Sequence, residues 1–202
     1  MTAVVLPVVL ASASKPRARI LAGAGVPVEI VPAHVDEDEV KLSLRAEGAD
    51  AARIAEALAE LKALRISQRM PGRLVVGADQ TLAVDDVLLD KPRDLDEARG
   101  HLQRLQGRSH RLLSAACVVL DGRRIWGEVE AAELTMRPLS AGFIEDYLQR
   151  VGEAVTASVG AYQLEGLGAQ LFARIRGDYF TILGLPLLPL LAFLRDRGVL
   201  AT

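Results

Sequence analysis

"SHRLLSAACVVLDGRRIWGEVEAAELTM", Ser109 to Met136, is the stretch whose reading decides the fold class. Two long strand-like runs, Ser109–Leu120 and Arg123–Met136, meet at Asp121-Gly122. Asp-Gly is a strong hairpin signal, because the tight turn that suits a right-handed strand twist needs positive φ at both central residues. A long antiparallel hairpin is therefore expected late in the chain. Everything around it alternates between helix and strand patterns. That combination predicts a mixed α/β sheet, twisted and flanked by helices, rather than separate all-α and all-β domains.

Working outward from the hairpin, Asp94 with Glu97 three residues on predicts a helix start, with Leu95, Ala98, Leu102 and Leu105 as its apolar stripe and Gly107 as its stop. "RLVVGAD" before it reads as a buried strand, and "TLAVDDVLLD" as a short hairpin turning at Asp85–Asp86. Residues 49–66 show helical spacing, with Ala51, Ile54, Leu58 and Leu61 expected on one face. Toward the start, Val4–Leu10 reads as a buried strand, Pro16–Leu21 as the opening of a helix, Val28–Val31 as a second strand and "VDEDEV" as an acidic loop. Beyond the hairpin come a helix near Ala141–Arg150, the glycine-rich "VGAYQLEGLGAQLF", and a final helix closing at Gly198. No repeat or linker interrupts the 202 residues, so a single domain over 1–202 is expected, with two lobes around a cleft.

Composition narrows the function classes. Half the residues are apolar and a quarter charged, and the net charge of −2 provides no basic field for nucleic acid. The lone Cys117, inside "SAACVVL", cannot form an internal disulfide. The opening "MTAVVLPVVLASAS" resembles a secretory leader, but its basic residues follow the apolar stretch instead of preceding it. "TILGLPLLPLLAFL" spans 14 residues and holds two prolines, against the ~20 that a membrane-spanning helix needs, so it is expected in the core. These readings point to a cytoplasmic protein without membrane or nucleic-acid partners.

Ligands of open α/β sheets bind beyond the carboxyl ends of strands. Two such ends are polar here. In "SASKPR", Ser12, Ser14 and the N-terminus of the following helix would offer an anion site, to which Arg17 can add a bidentate clamp. The plainer reading makes Ser14 only a helix cap. In "VVGADQ", Asp79 stands where a metal ligand or general base is often found, although Asp also opens turns. Lys62 lies one turn beyond Leu58, at the margin of the apolar stripe, and Lys91 in "LDKPRD" is held extended by Pro92. With Glu37 of the acidic loop, these cations and carboxylates suit a polyphosphate-plus-metal site. No GxxxxGK[ST] loop exists, "GLGAQL" lacks the third glycine of a dinucleotide fingerprint, and His34, His101 and His110 show no metal-ligand spacing.

The ordered set "LASAS…R…IL", "VDE", "LAELKA", "VVGADQ", "DKP", "EARGHLQRLQGRSH", "GAYQLEGLGAQLF" and "ILGLPLLPL" resembles the Maf family of nucleoside triphosphate pyrophosphatases, from about Leu10 to about Leu191. The resemblance implies the elongated α/β fold shared with inosine-triphosphate pyrophosphatases. It implies hydrolysis of a nucleoside triphosphate between the α and β phosphates, a divalent cation (Mg²⁺ or Mn²⁺), and a homodimer. By position it assigns Ser12 and Arg17 to the phosphate loop, Glu37 to the acidic site residue beside the metal, and Asp79 to catalysis and the metal. Lys62 falls on the "KA" lysine and Lys91 on the "KP" lysine. Departures from the family pattern are "SKPR" for "SPRR", Gln80 for threonine, "QLEGLG" for "GIQG", and Ser158–Val159 for a lysine and alanine. Gln80 and Glu165 resemble the branch associated with 7-methyl-GTP, whereas the threonine form goes with dTTP and UTP. The rival reading is a nucleotide-binding regulator of septum formation that turns nothing over.

Overall fold

A computed structural model describes residues 6–85 and 87–201. The chain forms two compact units. The first comprises Met1–Gln80, Ser114–Glu130 and Gly184–Thr202, and the second Thr81–Leu113 and Ala131–Leu183. The chain passes from one to the other three times inside strands, at Gln80–Thr81, Leu113–Ser114 and Glu130–Ala131. Mixed pairing in the sheet agrees with the α/β expectation, and among the described residues no helix is long and apolar enough to cross a membrane.

In the first unit, β1 (Val8–Leu10) lies between two parallel neighbours, β2 (Val28–Ile30) and β3 (Val75–Val84). β3 continues sideways to β5 (Ser109–Leu120), and β5 to β6 (Arg123–Met136). β1 starts at Val8, later than expected; Leu6 and Pro7 are outside it, and Val4 and Val5 fall outside the described residues. Helix α1 (Lys15–Gly23) joins β1 to β2, while α2 (Glu37–Ala46) and α3 (Ala51–Ser67) join β2 to β3. The hairpin turn has the predicted conformation, with φ of 48° at Asp121 and 74° at Gly122.

Helix α2 corrects the expected acidic loop. Asp36 accepts a hydrogen bond from the Glu39 amide at 3.1 Å, and Glu37, Asp38 and Glu39 fill the first turn, where negative charge meets the positive end of the helix dipole. The same residues that read as solvated loop are a helix start.

Helix α3 faces the sheet with Ile54, Ala55, Leu58, Ala59, Lys62, Ala63 and Ile66. The alanines let helix and strands come close, packing with Val9, Val75, Ala115, Cys117 and Val119. Leu61 is turned off this face, 36% exposed, and Lys62 takes the inward position instead. The approach is closest at Gly77: a Cβ there would stand 2.0 Å from the Ala59 carbonyl oxygen and 2.8 Å from the Ala63 Cβ. Gly77→Ala therefore forces α3 off β3. We expect a loss of about 1–3 kcal/mol from overpacking alone, with activity falling as Lys62 and Asp79 are pushed apart. Urea unfolding checks it, and an unchanged midpoint would mean that helix and strand yield freely.

The second unit holds the far ends of β3, β5 and β6. β4 (Val87–Leu89) pairs antiparallel with β3, and β7 (Phe172–Arg176) antiparallel with β6. The turn into β4 has Asp85 at φ 52°; Asp86, its expected partner in the turn, lies outside the described residues. Helix α4 (Leu95–Leu105) is capped by Asp94 as expected and buries Ala98, Leu102 and Leu105. Helix α5 (Ala141–Val151) adds Ile144, Tyr147 and Leu148 to the same core, and Leu82, Leu112, Leu134, Met136 and Tyr162 fill it. The glycine-rich stretch forms short 3₁₀ turns and then β7, a strand its composition had hidden. A short helix, α6 (Tyr179–Ile182), ends this unit, and the final helix α7 (Leu187–Asp196) returns to the first, where Phe193 stacks on Trp126 at 5.5 Å.

His110 lies inside the second core, 2% exposed, with Nε2 2.7 Å from the Tyr162 hydroxyl and no hydrogen-bond partner for Nδ1 among the described residues. Burial pushes its imidazole down to about 4 from 6.5. The folded chain thus prefers the neutral ring, and the stability this gives is complete above pH 6.5 and drains away as pH falls toward 4. By pH 5 it should cost about 2 kcal/mol. Chemical denaturation at pH 7 and pH 5 should show that loss in the wild type and not in His110→Gln; equal losses would remove His110 as the responsible group.

Candidate active site

The site is built around Lys62. As part of the buried face of α3, its ammonium is nearly out of solvent, with the side chain 8% exposed. A buried cation needs charged partners, and it has two: Asp79 Oδ1 at 2.5 Å and Glu37 Oε1 at 2.6 Å. Asp79 is itself 6% exposed. It does not follow a strand end, as expected, but sits within β3, with strand continuing on both sides. A carboxylate is tolerated in the sheet interior because Lys62 answers it there. Glu37 reaches the pair from the first turn of α2, and its other oxygen stands 3.9 Å from Lys41 one helical turn on. Lys41 was not legible as a site residue, although its i,i+4 spacing from Glu37 was the available signal.

The phosphate loop packs against the same strand. Ser14 caps α1, its Oγ accepting from the Arg17 amide at 3.4 Å, so the plain capping role holds. Ser12 is buried and its Oγ accepts from the Ser14 amide at 3.2 Å. Arg17 departs from the image of an open clamp. It is 9% exposed; Nε donates to the Gly184 carbonyl at 2.7 Å, and Nη1 to the Ala78 carbonyl at 3.1 Å and to Ser12 Oγ at 3.3 Å. Burial lowers its guanidinium from the usual value, while the charges of Asp79 and Glu37 pull the other way. Arg17 thus ties α1 to β3 and to the start of α7, and brings positive charge to the two carboxylates. Gly184, at φ 98°, is where the chain turns so that its carbonyl meets Arg17.

Gln80, next along β3, donates through Nε2 to Ser114 Oγ on β5 at 2.9 Å, which fixes the orientation of its amide. Lys91 and Glu165 belong to the second unit. Lys91 is exposed between β4 and α4, ahead of the buried Pro92, and Glu165 is exposed in the turn that precedes Leu167–Leu171. The tail of that loop is pinned from behind: the Tyr147 hydroxyl donates to the Ala161 carbonyl at 3.2 Å and Ser158 Oγ to the Tyr162 carbonyl at 2.6 Å. Cys117 is a buried strand residue whose thiol is pushed up to about 12 by desolvation, which leaves it chemically inert here.

Among the described residues no group of three or more His, Cys, Asp or Glu side chains gathers into a closed metal cage. Two hard-oxygen carboxylates brought to one cation, Lys62 Nζ, do fit an ion such as Mg²⁺, which is held by one or two protein carboxylates with water and substrate phosphates completing its shell.

The family model described as "Maf-like protein" matches residues 7–197, across both units. The chain belongs to the Maf family. Relatives are similar to this chain over almost their whole length. A protein of Paramagnetospirillum magneticum called nucleoside triphosphate pyrophosphatase is 56% identical over 95% of this chain and 98% of its own. One of Rhodospirillum rubrum with the same name is 53% identical over 99% of each. One of Mesorhizobium japonicum called 7-methyl-GTP pyrophosphatase is 51% identical over 96% and 97%. Among solved structures, a nucleoside-triphosphatase/dITP/XTP pyrophosphatase from Mycobacterium abscessus is similar over 96% of both chains at 20% identity and a TM-score of 0.46, a likeness too loose to bear on function.

Proposed function

We propose that the chain acts as one catalytic domain over residues 1–202 and hydrolyses nucleoside triphosphates between the α and β phosphates, with Asp79 as proton acceptor. Membership of the Maf family and the names of the relatives, at 51–56% identity over nearly full length, support nucleoside triphosphate pyrophosphatase activity. The observation that carries the mechanism is the trio in which the buried Lys62 Nζ is held 2.5 Å from the buried Asp79 and 2.6 Å from the partly exposed Glu37.

In this reading Glu37 and Asp79 hold a divalent cation, Mg²⁺ or Mn²⁺, that neutralises phosphate oxygens when bound. Water attacks the α phosphorus in line and the bond to the bridging oxygen breaks. The water proton passes to the Asp79 carboxylate, and pyrophosphate leaves with the electron pair. Lys62, with the amides behind Ser12 and Ser14, meets the charge gathering on the leaving group, and the family resemblance alone assigns Lys91 to the phosphates as well. Arg17, whose Nε and Nη1 are committed to protein oxygens, contributes through its field and the remaining N–H groups. The resemblance of Gln80 and Glu165 to the branch associated with 7-methyl-GTP, with the 7-methyl-GTP-named relative, favours the methylated guanine nucleotide. The test is pyrophosphate release with Mg²⁺ from UTP, dTTP and 7-methyl-GTP side by side. Release is expected, fastest with 7-methyl-GTP. Binding without release from any nucleotide would overturn catalysis in favour of a nucleotide-binding regulator.

A further inference from the structure

Lys62 is the one charged residue among the buried positions of helix α3, and it stands there between two carboxylates. Glu37 also has Lys41 at 3.9 Å, and Arg17 lies near enough for both carboxylates to act on its charge. Among these five side chains the cations outnumber the carboxylates by one. The carboxylates therefore present no unmet charge to a dication arriving alone. A triphosphate changes the balance, because its ~4 negative charges offer an ammonium more than two shared carboxylates do.

We propose that Lys62 is a place-holder for the metal: without nucleotide its ammonium occupies Glu37 and Asp79 and keeps a divalent cation from binding there, and the triphosphate draws it off so that metal and nucleotide enter together. The inference rests on Glu37 and Asp79 being the metal carboxylates. It goes further in predicting weak metal binding by the free protein and in naming the side chain that couples metal entry to the nucleotide. A buried ammonium between two anions is the physical reason, since a dication and Lys62 compete for the same oxygens.

The test is Mn²⁺ binding to the full chain without nucleotide at pH 8, read as free Mn²⁺ by electron paramagnetic resonance. Lys62→Met should bind Mn²⁺ at least tenfold more tightly than wild type, because the one ammonium in direct contact with both carboxylates is gone and only Lys41, 3.9 Å from Glu37, and the field of Arg17 remain. Lys62→Arg, which keeps the charge, should stay weak like wild type. Lys62→Met with Asp79→Asn should lose the gain. Lys62→Gln, which leaves room for water, repeats the comparison should the methionine variant not fold. Mn²⁺ affinity unchanged in the folded neutral variants overturns the place-holder. A separate arm adds an α,β-methylene nucleotide analogue to wild type, Glu37→Gln and Asp79→Asn. If the carboxamide variants hold Mn²⁺ with the analogue as tightly as wild type does, the assignment of these carboxylates to the metal fails, and the place-holder with it.

Discussion

Asp79→Asn should lower kcat by roughly 10²-fold or more while leaving the fold in place, general-base loss alone being worth about that much. The substitution keeps the volume of a side chain that is 6% exposed within β3, so packing against the sheet is preserved. What it removes is the proposed proton acceptor and one of the two negative charges on Lys62. Glu37 still partners Lys62 at 2.6 Å, which limits the cost of the lost pairing. The decisive readout is the split between kcat and KM. An interaction realised mainly in the transition state lowers kcat and kcat/KM together, whereas lost ground-state binding raises KM alone. Near-normal turnover would refute the assignment.

Arg17→Met is the second large effect, and it falls first on stability. The guanidinium satisfies the Gly184 and Ala78 carbonyls in the interior of the first unit, and methionine satisfies neither. Each buried acceptor left unpaired costs about 1–3 kcal/mol, so a loss of roughly 2–6 kcal/mol is expected. For a chain of this length that corresponds to a fall in Tm of roughly 4–24 °C. Arg17→Lys separates charge from geometry: an ammonium restores the positive charge beside Asp79 and Glu37 but cannot reproduce the fork that reaches Gly184, Ala78 and Ser12 together. It should recover part of the activity and little of the stability. Thermal unfolding and steady-state kinetics of the pair check this. A methionine variant as stable as wild type would make Arg17 a surface-like phosphate ligand and not the tie described here.

Much of the scaffold was legible because its signals are local. Asp121-Gly122 sets a turn through its own φ angles, and Asp94 caps α4 through an amide three residues away. The errors fall where a local signal had two readings. "VDEDEV" has the charge of a loop and also the cap and first-turn acids of a helix start, and the helix won. Leu61 and Lys62 differ by one step around α3, and apolar character alone put the leucine inward. β7 was obscured by the glycines before it and by its arginines, which an edge strand tolerates because one side faces solvent.

From the sequence alone came the α/β class, the hairpin, the caps at Ser14 and Asp94, the family and the identities of the polar residues to watch. Each depends on interactions within a turn or two, or on a pattern of residues in order. What only the tertiary structure decided is which of those residues meet. Lys62 reaches Asp79 because Gly77, with no Cβ, lets β3 come against α3; Glu37 joins them from a helix that read as loop; and Arg17 bonds to Gly184 across 167 residues. A buried charge takes whichever opposite partner the packing brings within reach, and that choice is made by close approach of distant segments, which residue order alone does not encode in any local signal.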